Sequence, residues 1–260
     1  MAWVLITIAL ATLWVVSLYK IRSSCSASVP SNPRFLSDGD TRKKRNVLVV
    51  VAHPDDESMF FAPTILFLAS EGHILHILCL STGNADGKGN VRKEELYRAC
   101  AVLKVPSQKV KILDHPNLQD GFGNPWDHQL IAKIVEEKIK MYSIDLLITF
   151  DKFGVSGHQN HQDVHHGIRM LLRENSKRDI EAWELVSTSI LRKYSGPVDI
   201  WLSTCFLSCD KERTYSLMNK HPGVIYLAMA EHYSQWIWFR KLFVLFSSYT
   251  YMNTLRKINL

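Results

Sequence analysis

The sequence predicts an α/β fold: a Rossmann-like, mostly parallel sheet flanked by helices and preceded by one amino-terminal transmembrane helix. Apolar, β-branched runs alternate with helical patterns from residue 46 onward, and residues 2–19 contain no charged side chain. Alternating strands and helices are typical of parallel sheets covered by helices. The chain has 260 residues, which is enough for one sizeable α/β domain.

The amino-terminal run has the length of a membrane span. As a helix, residues 2–19 would measure about 27 Å, which matches a thin bilayer such as that of the endoplasmic reticulum. We predict a transmembrane anchor over 1–20, a polar linker over 21–45 and a folded domain over 46–260. A cleaved signal peptide is the alternative, but it would need a basic segment before the apolar run and a shorter apolar core.

Charge sets the expected orientation and partners. Seven basic residues lie between Lys20 and Arg45, after the apolar run, so the positive-inside rule places the carboxyl-terminal side in the cytosol. The formal net charge is +6, but the sequence lacks the aromatic-basic interleaving of nucleic-acid modules. We therefore expect a membrane surface and no nucleic acid as partner. Five cysteines without regular spacing favour a reducing compartment.

The elements of the domain follow from apolar periodicity. Strands are predicted at 46–52, 73–80, 109–113 and 145–150, with further strands at 182–188 and 198–203; helices are predicted at 59–70, 91–103 and 128–142. In such sheets the chemistry gathers beyond the carboxyl ends of the strands.

The first cluster of ionisable side chains follows the first strand. His53, Pro54, Asp55, Asp56 and Glu57 come directly after the apolar run 46–52. Adjacent buried carboxylates beside a histidine require a compensating charge, and a divalent cation would supply it. The alternative is a helix start at which Asp55 or Asp56 is the N-cap and Glu57 interacts favourably with the helix dipole.

A second cluster follows the strand at 145–150. Residues 158–166 hold four of the eleven histidines, and His158 and His161 are spaced to share one helix face. Both clusters occupy strand-end loops, where they can converge. Two histidines and a carboxylate leave one coordination position open, as a hydrolytic zinc site requires. His165 and His166 are predicted to belong to the helix surface and flank.

Together, "AHPDDE" (52–57) and "HxxH" (158–161) resemble the LmbE-like zinc deacetylases, which remove acetyl from N-acetylglucosamine conjugates. The similarity extends from residue 46 to the 160s and includes "STGNADGKGNVRKEEL" (81–96), whereas the last ninety residues carry no motif. The anchor is similar to that of the eukaryotic branch, which acts on a membrane glycolipid in GPI-anchor biosynthesis. The resemblance thus implies a single-pass protein of the endoplasmic reticulum membrane, its catalytic domain facing the cytosol.

Carried over residue by residue, the resemblance implies a role for each member of the motifs. His53, Asp56 and His161 would bind Zn²⁺, although such ligands also accept Fe²⁺ or Mn²⁺. Asp55 would be the general base, and His158 would stabilise the oxyanion or protonate the leaving amine. Arg92 matches a substrate-contacting arginine loosely, and a solvated helix start is its alternative.

One position departs from the family pattern. Bacterial relatives have a tyrosine two residues before the first histidine of HxxH, where this chain has Ser156. Any help that this tyrosine gives the oxyanion would have to come from elsewhere here.

The carboxyl-terminal segment 232–252 is rich in aromatic residues and holds only two charged side chains, Arg240 and Lys241. Core packing of a final helix and an interfacial segment on a lipid surface are both open interpretations.

Other functions stay open from the sequence alone. The segment 83–89 fits neither a Walker A motif nor a calcium loop. A metal-dependent phosphoesterase and a catalytically silent, membrane-tethered adaptor are the competing hypotheses.

Overall fold

The computed structural model describes residues 1–23, 28–29, 44–121, 123–174, 180–206 and 214–259, with only the backbone described at 28–29 and 204–206. Its helices are α1 (Ala2–Ser23), α2 (Asp56–Met59), α3 (Ala62–Ser70), α4 (Gly89–Val102), α5 (His128–Tyr142), α6 (Gly154–Gly157), α7 (Gln159–Glu174), α8 (Ile190–Lys193), α9 (Asp199–Phe206), α10 (Pro222–Ala230), α11 (Trp238–Phe246) and α12 (Ser248–Tyr251). Its strands are β1 (Ser28–Val29), β2 (Asn46–Val51), β3 (Ile74–Cys79), β4 (Val110–Ile112), β5 (Leu146–Phe150), β6 (Glu181–Leu185), β7 (Thr214–Met218) and β8 (Met252–Lys257).

The strands form one sheet in the order β1-β7-β8-β6-β5-β2-β3-β4. The five strands from β4 to β6 are parallel, and β8, β7 and β1 continue the sheet in antiparallel pairing. The predicted mostly parallel sheet flanked by helices is confirmed. The chain runs outward from β2 through β3 to β4 and then returns to add β5 on the other side of β2, so β2 and β5 flank a topological switch point, where ligands bind in such sheets.

The central position of β2 in the sheet explains why its sequence is an unbroken apolar run. Val47–Val51 are all buried, with neighbours β3 and β5 on either side. A strand covered on both faces has no solvent side and therefore shows no alternation. The carboxyl end of this buried strand delivers the first cluster of ionisable residues.

Several element predictions differ from the structure. The predicted strand at 198–203 is wrong, because Asp199–Phe206 form helix α9. Asp199, Ile200 and Ser203 are buried in this helix, and Ile200 and Ser203 have the i, i+3 spacing of one helix face and not the alternation of a strand. The predicted helix at 59–70 is interrupted at 60–61, between α2 and α3. In place of one final helix, 232–252 contains a 3₁₀ turn and two short helices.

The amino-terminal helix α1 is long and apolar enough to cross a membrane. Its last turns contact the domain: the Trp14 ring lies 5.6 Å from that of Phe246, and Trp201 Nε1 donates a hydrogen bond to Ser17 Oγ at 3.0 Å. Most of the predicted linker lies outside the described residues, but α1 extends to Ser23 and β1 pairs with β7 within it.

Candidate metal centre

The loop after β2 has a strained backbone. Asp55 has φ 118° and ψ −23°, a region that costs a non-glycine residue about 1–3 kcal/mol and is found at functional sites. His53, Asp55, Asp56 and Glu57 are all buried. Asp55 makes no side-chain cap on α2, and Asp56 Oδ2 accepts from the backbone nitrogens of Ala52 and His53, upstream of the helix. A simple N-cap therefore does not account for the two carboxylates.

The other oxygen of Asp56 faces the second cluster. Asp56 Oδ1 lies 3.2 Å from His161 Nε2. His161 Nδ1 lies 3.1 Å from the carbonyl oxygen of Gly154; a proton held there leaves Nε2 as the nitrogen that can bind a cation. The two distant loops thus meet, as the sequence predicts.

The electrostatics of this contact favour a positive charge. Burial disfavours the imidazolium form of His161, but the Asp56 carboxylate outweighs it and raises the pKa of His161. Burial likewise opposes ionisation of Asp56, and His161 and His53 nevertheless hold the pKa of Asp56 below its usual range. A carboxylate that stays charged opposite an imidazole is a donor pair that a divalent cation can occupy by displacing the proton.

Two further imidazoles complete the cluster. One ring nitrogen from each of His53, His158 and His161 lies within 4.8 Å of the others. Burial, together with the other two histidines, lowers the pKa of His158 to about 4, so its imidazole is neutral at physiological pH. Neutral imidazole nitrogens and a carboxylate oxygen form a donor set that fits zinc.

The neighbouring carboxylate Asp55 contacts two guanidinium groups. Arg92 Nη2 lies 3.3 Å from Asp55 Oδ2, and Arg240 Nη1 contacts the same oxygen. No described residue donates to Oδ1, which leaves that oxygen available to accept a proton.

Arg92 does not lie at a solvated helix start. Its guanidinium is buried and donates to the carbonyl oxygens of Gly83 (2.8 Å) and Pro54 (2.6 Å). Gly83 is close enough that a Cβ there would lie 2.5 Å from Arg92 Nη1. The helix α4 thus places Arg92 against the loop after β2.

Asp120 is a site residue that the sequence analysis missed. Its Oδ1 lies 3.1 Å from His53 Nε2, and its Oδ2 lies 3.5 Å from Arg92 Nη1. Burial opposes ionisation, but the contacts with His53 and Arg92 lower the pKa of Asp120. Asp120 follows β4, so the rule that strand ends gather chemistry could have found it.

Glu57 has a partner from the carboxyl-terminal region. Glu57 Oε1 accepts from His232 Nε2 at 2.7 Å and from Ser58 Oγ at 2.6 Å, while Oε2 accepts from the backbone nitrogen of Asp55 at 3.0 Å. Glu57 therefore fixes the strained Asp55 backbone. No pattern in the sequence pointed to His232, since the last ninety residues carry no motif.

The loop before His158 is held by a second buried carboxylate. Asp151 Oδ1 and Oδ2 accept from the hydroxyl and the backbone nitrogen of Ser187, and Ser187 Oγ in turn accepts from Val155 N at 2.8 Å. Val155 has φ 62°, a conformation that is costly for a β-branched residue. Ser156 is exposed, with Lys193 Nζ 3.4 Å from its hydroxyl.

His165 and His166 lie apart from the imidazole cluster. His165 Nδ1 lies 3.1 Å from the carbonyl oxygen of Phe150, and the ring of His166 packs beside that of His128.

Comparison with protein families gives a match over the half of the domain that contains these loops. The family model described as PIG-L, GlcNAc-PI de-N-acetylase, matches residues 48–172. The chain is 36% identical over 249 residues to a probable N-acetylglucosaminyl-phosphatidylinositol de-N-acetylase of Dictyostelium discoideum, with 85% of this chain and 96% of that protein covered. It is 38% identical over 209 residues to the N-acetylglucosaminyl-phosphatidylinositol de-N-acetylase of Bos taurus, with 80% and 81% covered.

Solved structures share the fold. The N,N'-diacetylchitobiose deacetylase of Pyrococcus horikoshii superposes with a TM-score of 0.62 at 13% identity, covering 85% of this chain and 86% of that chain. The zinc-inhibited form of the teicoplanin deacetylase Orf2 superposes with a TM-score of 0.55 at 13% identity, covering 82% and 97%.

Proposed function

The chain belongs to the GlcNAc-PI de-N-acetylase family, and we propose from this premise that it hydrolyses the N-acetyl group of N-acetylglucosaminyl-phosphatidylinositol. The products are glucosaminyl-phosphatidylinositol and acetate, and the reaction consumes one water. This is the second step of GPI-anchor biosynthesis. The observation that carries the proposal is the 3.2 Å approach of Asp56 Oδ1 to His161 Nε2, beside two further imidazoles, in a chain whose relatives bear this activity in their names.

We assign His53, Asp56 and His161 as the residues that hold the metal. Two observations support the fit. A proton on His161 Nδ1, directed at the Gly154 carbonyl oxygen, leaves the lone pair of Nε2 free to bind a cation. His53 Nε2 is buried and has no well-directed hydrogen bond. A bound zinc ion supplies Lewis acidity, which lowers the pKa of water from 15.7 to about 7. Iron and manganese are alternatives with the same ligands.

Asp55 acts as the general base in this proposal. Arg92 and Arg240 both contact Oδ2 of its carboxylate, which leaves Oδ1 to take the proton from the attacking water. The new C–O bond forms at the acetamide carbonyl carbon, and the amide bond between this carbon and the nitrogen breaks as the nitrogen gains a proton and leaves as the amine of the sugar. The contacts with two guanidinium groups hold the carboxylate in one orientation, so it is preorganised for this transfer.

His158 acts on the carbonyl oxygen or on the leaving nitrogen of the acetamide. Its imidazole ring centroid lies 4.9 Å from that of His53, at the rim of the metal ligands. Its N–H can stabilise the oxyanion, or the ring can take up the proton released by the attacking water and pass it to the departing amine. The Arg92 guanidinium lies in the same site, where it contacts the carboxylates of Asp55 and Asp120. We assign Arg92 to substrate binding.

The substrate is a lipid, and we propose that α1 spans the endoplasmic reticulum membrane once, with the domain in the cytosol. Support comes from the length and composition of α1 and from the basic residues that follow it.

The decisive experiment uses the full chain reconstituted in phospholipid vesicles. We expect acetate release from N-acetylglucosaminyl-phosphatidylinositol, its loss after chelation and its recovery with zinc. Asp55→Asn should retain metal and lose turnover, which a silent adaptor would not show. Activity that is indifferent to chelation would refute the metal mechanism. A preference for a soluble N-acetylglucosamine conjugate over the lipid would favour the alternative that this chain deacetylates another substrate of that class.

A further inference from the structure

Helix α11 exposes its apolar side. Five large apolar side chains on one face of this helix are each between 40% and 72% exposed: Trp238, Phe239, Leu242, Leu245 and Phe246. Contiguous apolar surface of this kind is rare on soluble proteins and marks a contact with a partner or a membrane. The helix carries no acidic residue, and its charged residues are Arg240 and the exposed Lys241.

The opposite side of α11 packs on the catalytic domain. Val244 is buried in the main core, and the ring of Phe243 lies 5.8 Å from that of Phe60. Arg240 extends from this side to Asp55 Oδ2, and its Nη1 lies 3.7 Å from Met59 Sδ. The exposed face is therefore held in place by the core and is not a frayed end.

The exposed face is continuous with the apolar helix α1. The rings of Trp14 in α1 and Phe246 in α11 are in edge contact at 5.6 Å. Toward its amino terminus, α1 exposes nearly all of its apolar side chains, Trp3 and Leu5 among them. One uninterrupted apolar surface thus runs from the candidate membrane span onto α11.

We propose that the outer face of α11 docks on the phospholipid bilayer. The inference rests on the proposed function, because it takes the bilayer that holds α1 and the lipid substrate as the partner of α11. The chemistry fits: aromatic residues and a flanking lysine on an amphipathic helix are typical of segments in the lipid headgroup region. With a helix diameter of about 10–12 Å, Arg240 then holds the catalytic carboxylate one helix thickness from the lipid surface, within reach of a sugar attached to a lipid headgroup.

A fluorescence experiment tests the docking directly. The full chain is reconstituted, with no other protein, in vesicles that contain brominated phospholipid, which quenches the fluorescence of nearby tryptophan. We expect Trp238→Phe to remove part of the quenched emission, whereas Trp183→Phe, at a buried sheet position, removes emission that the lipid does not quench. If Trp238 is not quenched, the bilayer is not the occupant of this face and the proposal fails; a protein partner would then be the remaining occupant.

A substrate comparison tests the consequence. Phe239→Ser combined with Leu242→Ser should lower kcat/KM on vesicle-embedded lipid substrate roughly tenfold, because two apolar side chains lose their membrane contact. Turnover of the water-soluble glycan headgroup should stay within about twofold. Met141→Ser, which changes an exposed apolar residue on α5, should affect neither.

The outcomes separate the two proposals. An equal loss on both substrates would show that the two substitutions act on the fold, and no loss on either would show that the outer face of α11 does not serve turnover. Each of these outcomes overturns the proposed role of docking in turnover, and the quenching of Trp238 tests the docking itself. If the wild-type chain hydrolyses neither substrate, the proposed function fails, while the quenching of Trp238 still decides the docking.

Discussion

His232 donates its Nε2 proton to Glu57 Oε1 at 2.7 Å, and both side chains are fully buried. This pair links the strained loop after β2 to the region that follows α10, and through Glu57 it also holds the backbone nitrogen of Asp55. The carboxyl-terminal part of the chain is therefore a structural support of the candidate site. A buried charged pair of this kind is costly to break on one side, because the remaining partner is left uncompensated.

The first prediction concerns the stability of this pair. Glu57→Gln should lower the free energy of unfolding by about 3 kcal/mol, since it leaves a buried imidazolium without its counter-charge. The double variant with His232→Gln should cost less than the sum of the two single variants, as expected for contacting residues. Glu136→Gln, at the more exposed pair with Lys140, should cost less than about 1 kcal/mol. Additive losses in denaturant unfolding would show that the two side chains are uncoupled.

The pH dependence of stability gives the second prediction. Burial alone would lower the pKa of His232, but Glu57 outweighs it and raises that pKa above the ordinary value. The folded state thus binds the proton more tightly, so this contribution is complete below pH about 6.5 and is lost as pH rises through the folded-state pKa. The difference in melting temperature between wild type and His232→Gln should shrink from pH 6 to pH 9. A difference that grows with pH would contradict this assignment.

The third prediction isolates the contact between Gly83 and Arg92. A Cβ at Gly83 would lie 2.5 Å from the guanidinium, whereas a Cβ at Gly87 would meet nothing within 4 Å. The two glycines have similar φ values, +66° and +71°, so alanine should impose about the same backbone cost of 1–2 kcal/mol at each. Gly83→Ala should therefore lower kcat/KM well below that of Gly87→Ala, with bound metal unchanged. Equal activities of the two variants would argue against a role for Arg92.

The sequence was informative where the chemistry follows local strand ends. The convergence of the clusters at 53–57 and 158–161 could be predicted, because the carboxyl ends of parallel strands meet at one edge of a sheet. The choice of His53, Asp56 and His161 within them came from the resemblance to the deacetylase family. Arg240 and His232 could not be predicted, since their contacts depend on how the antiparallel extension returns the chain to the loop after β2. The aromatic segment 232–252 left two interpretations open, and the structure divides it: Val244, Tyr249 and Tyr251 are core, while the outer face of α11 is exposed.

The fourth prediction distinguishes two possible ligand sets. Geometry alone groups the three imidazoles of His53, His158 and His161, whereas the proposed set replaces His158 by Asp56. Zinc affinity of Asp56→Asn should fall by more than the 10–100-fold typical of an outer-shell change. His158→Asn should keep its zinc and lose kcat. If competition with a chelating dye gives the larger loss for His158→Asn, the three-imidazole set is correct.

The fifth prediction concerns the support of His161 by the loop before it. Gly154 has φ +57°, its carbonyl oxygen accepts from His161, and a Cβ on it would lie 2.8 Å from the His161 Cβ. Gly157 in the same loop has φ +74° and open space around it. Gly154→Ala must therefore displace His161 or its helix, whereas Gly157→Ala carries only the cost of a left-handed alanine. We expect Gly154→Ala to lose at least about tenfold in zinc affinity while Gly157→Ala binds nearly as well as wild type, both measured by competition titration of the full chain. Comparable zinc affinities of the two variants would mean that this loop does not hold the His161 imidazole. Because Nε2 of that imidazole faces Asp56, the assigned metal site would then lack one rigidly held ligand.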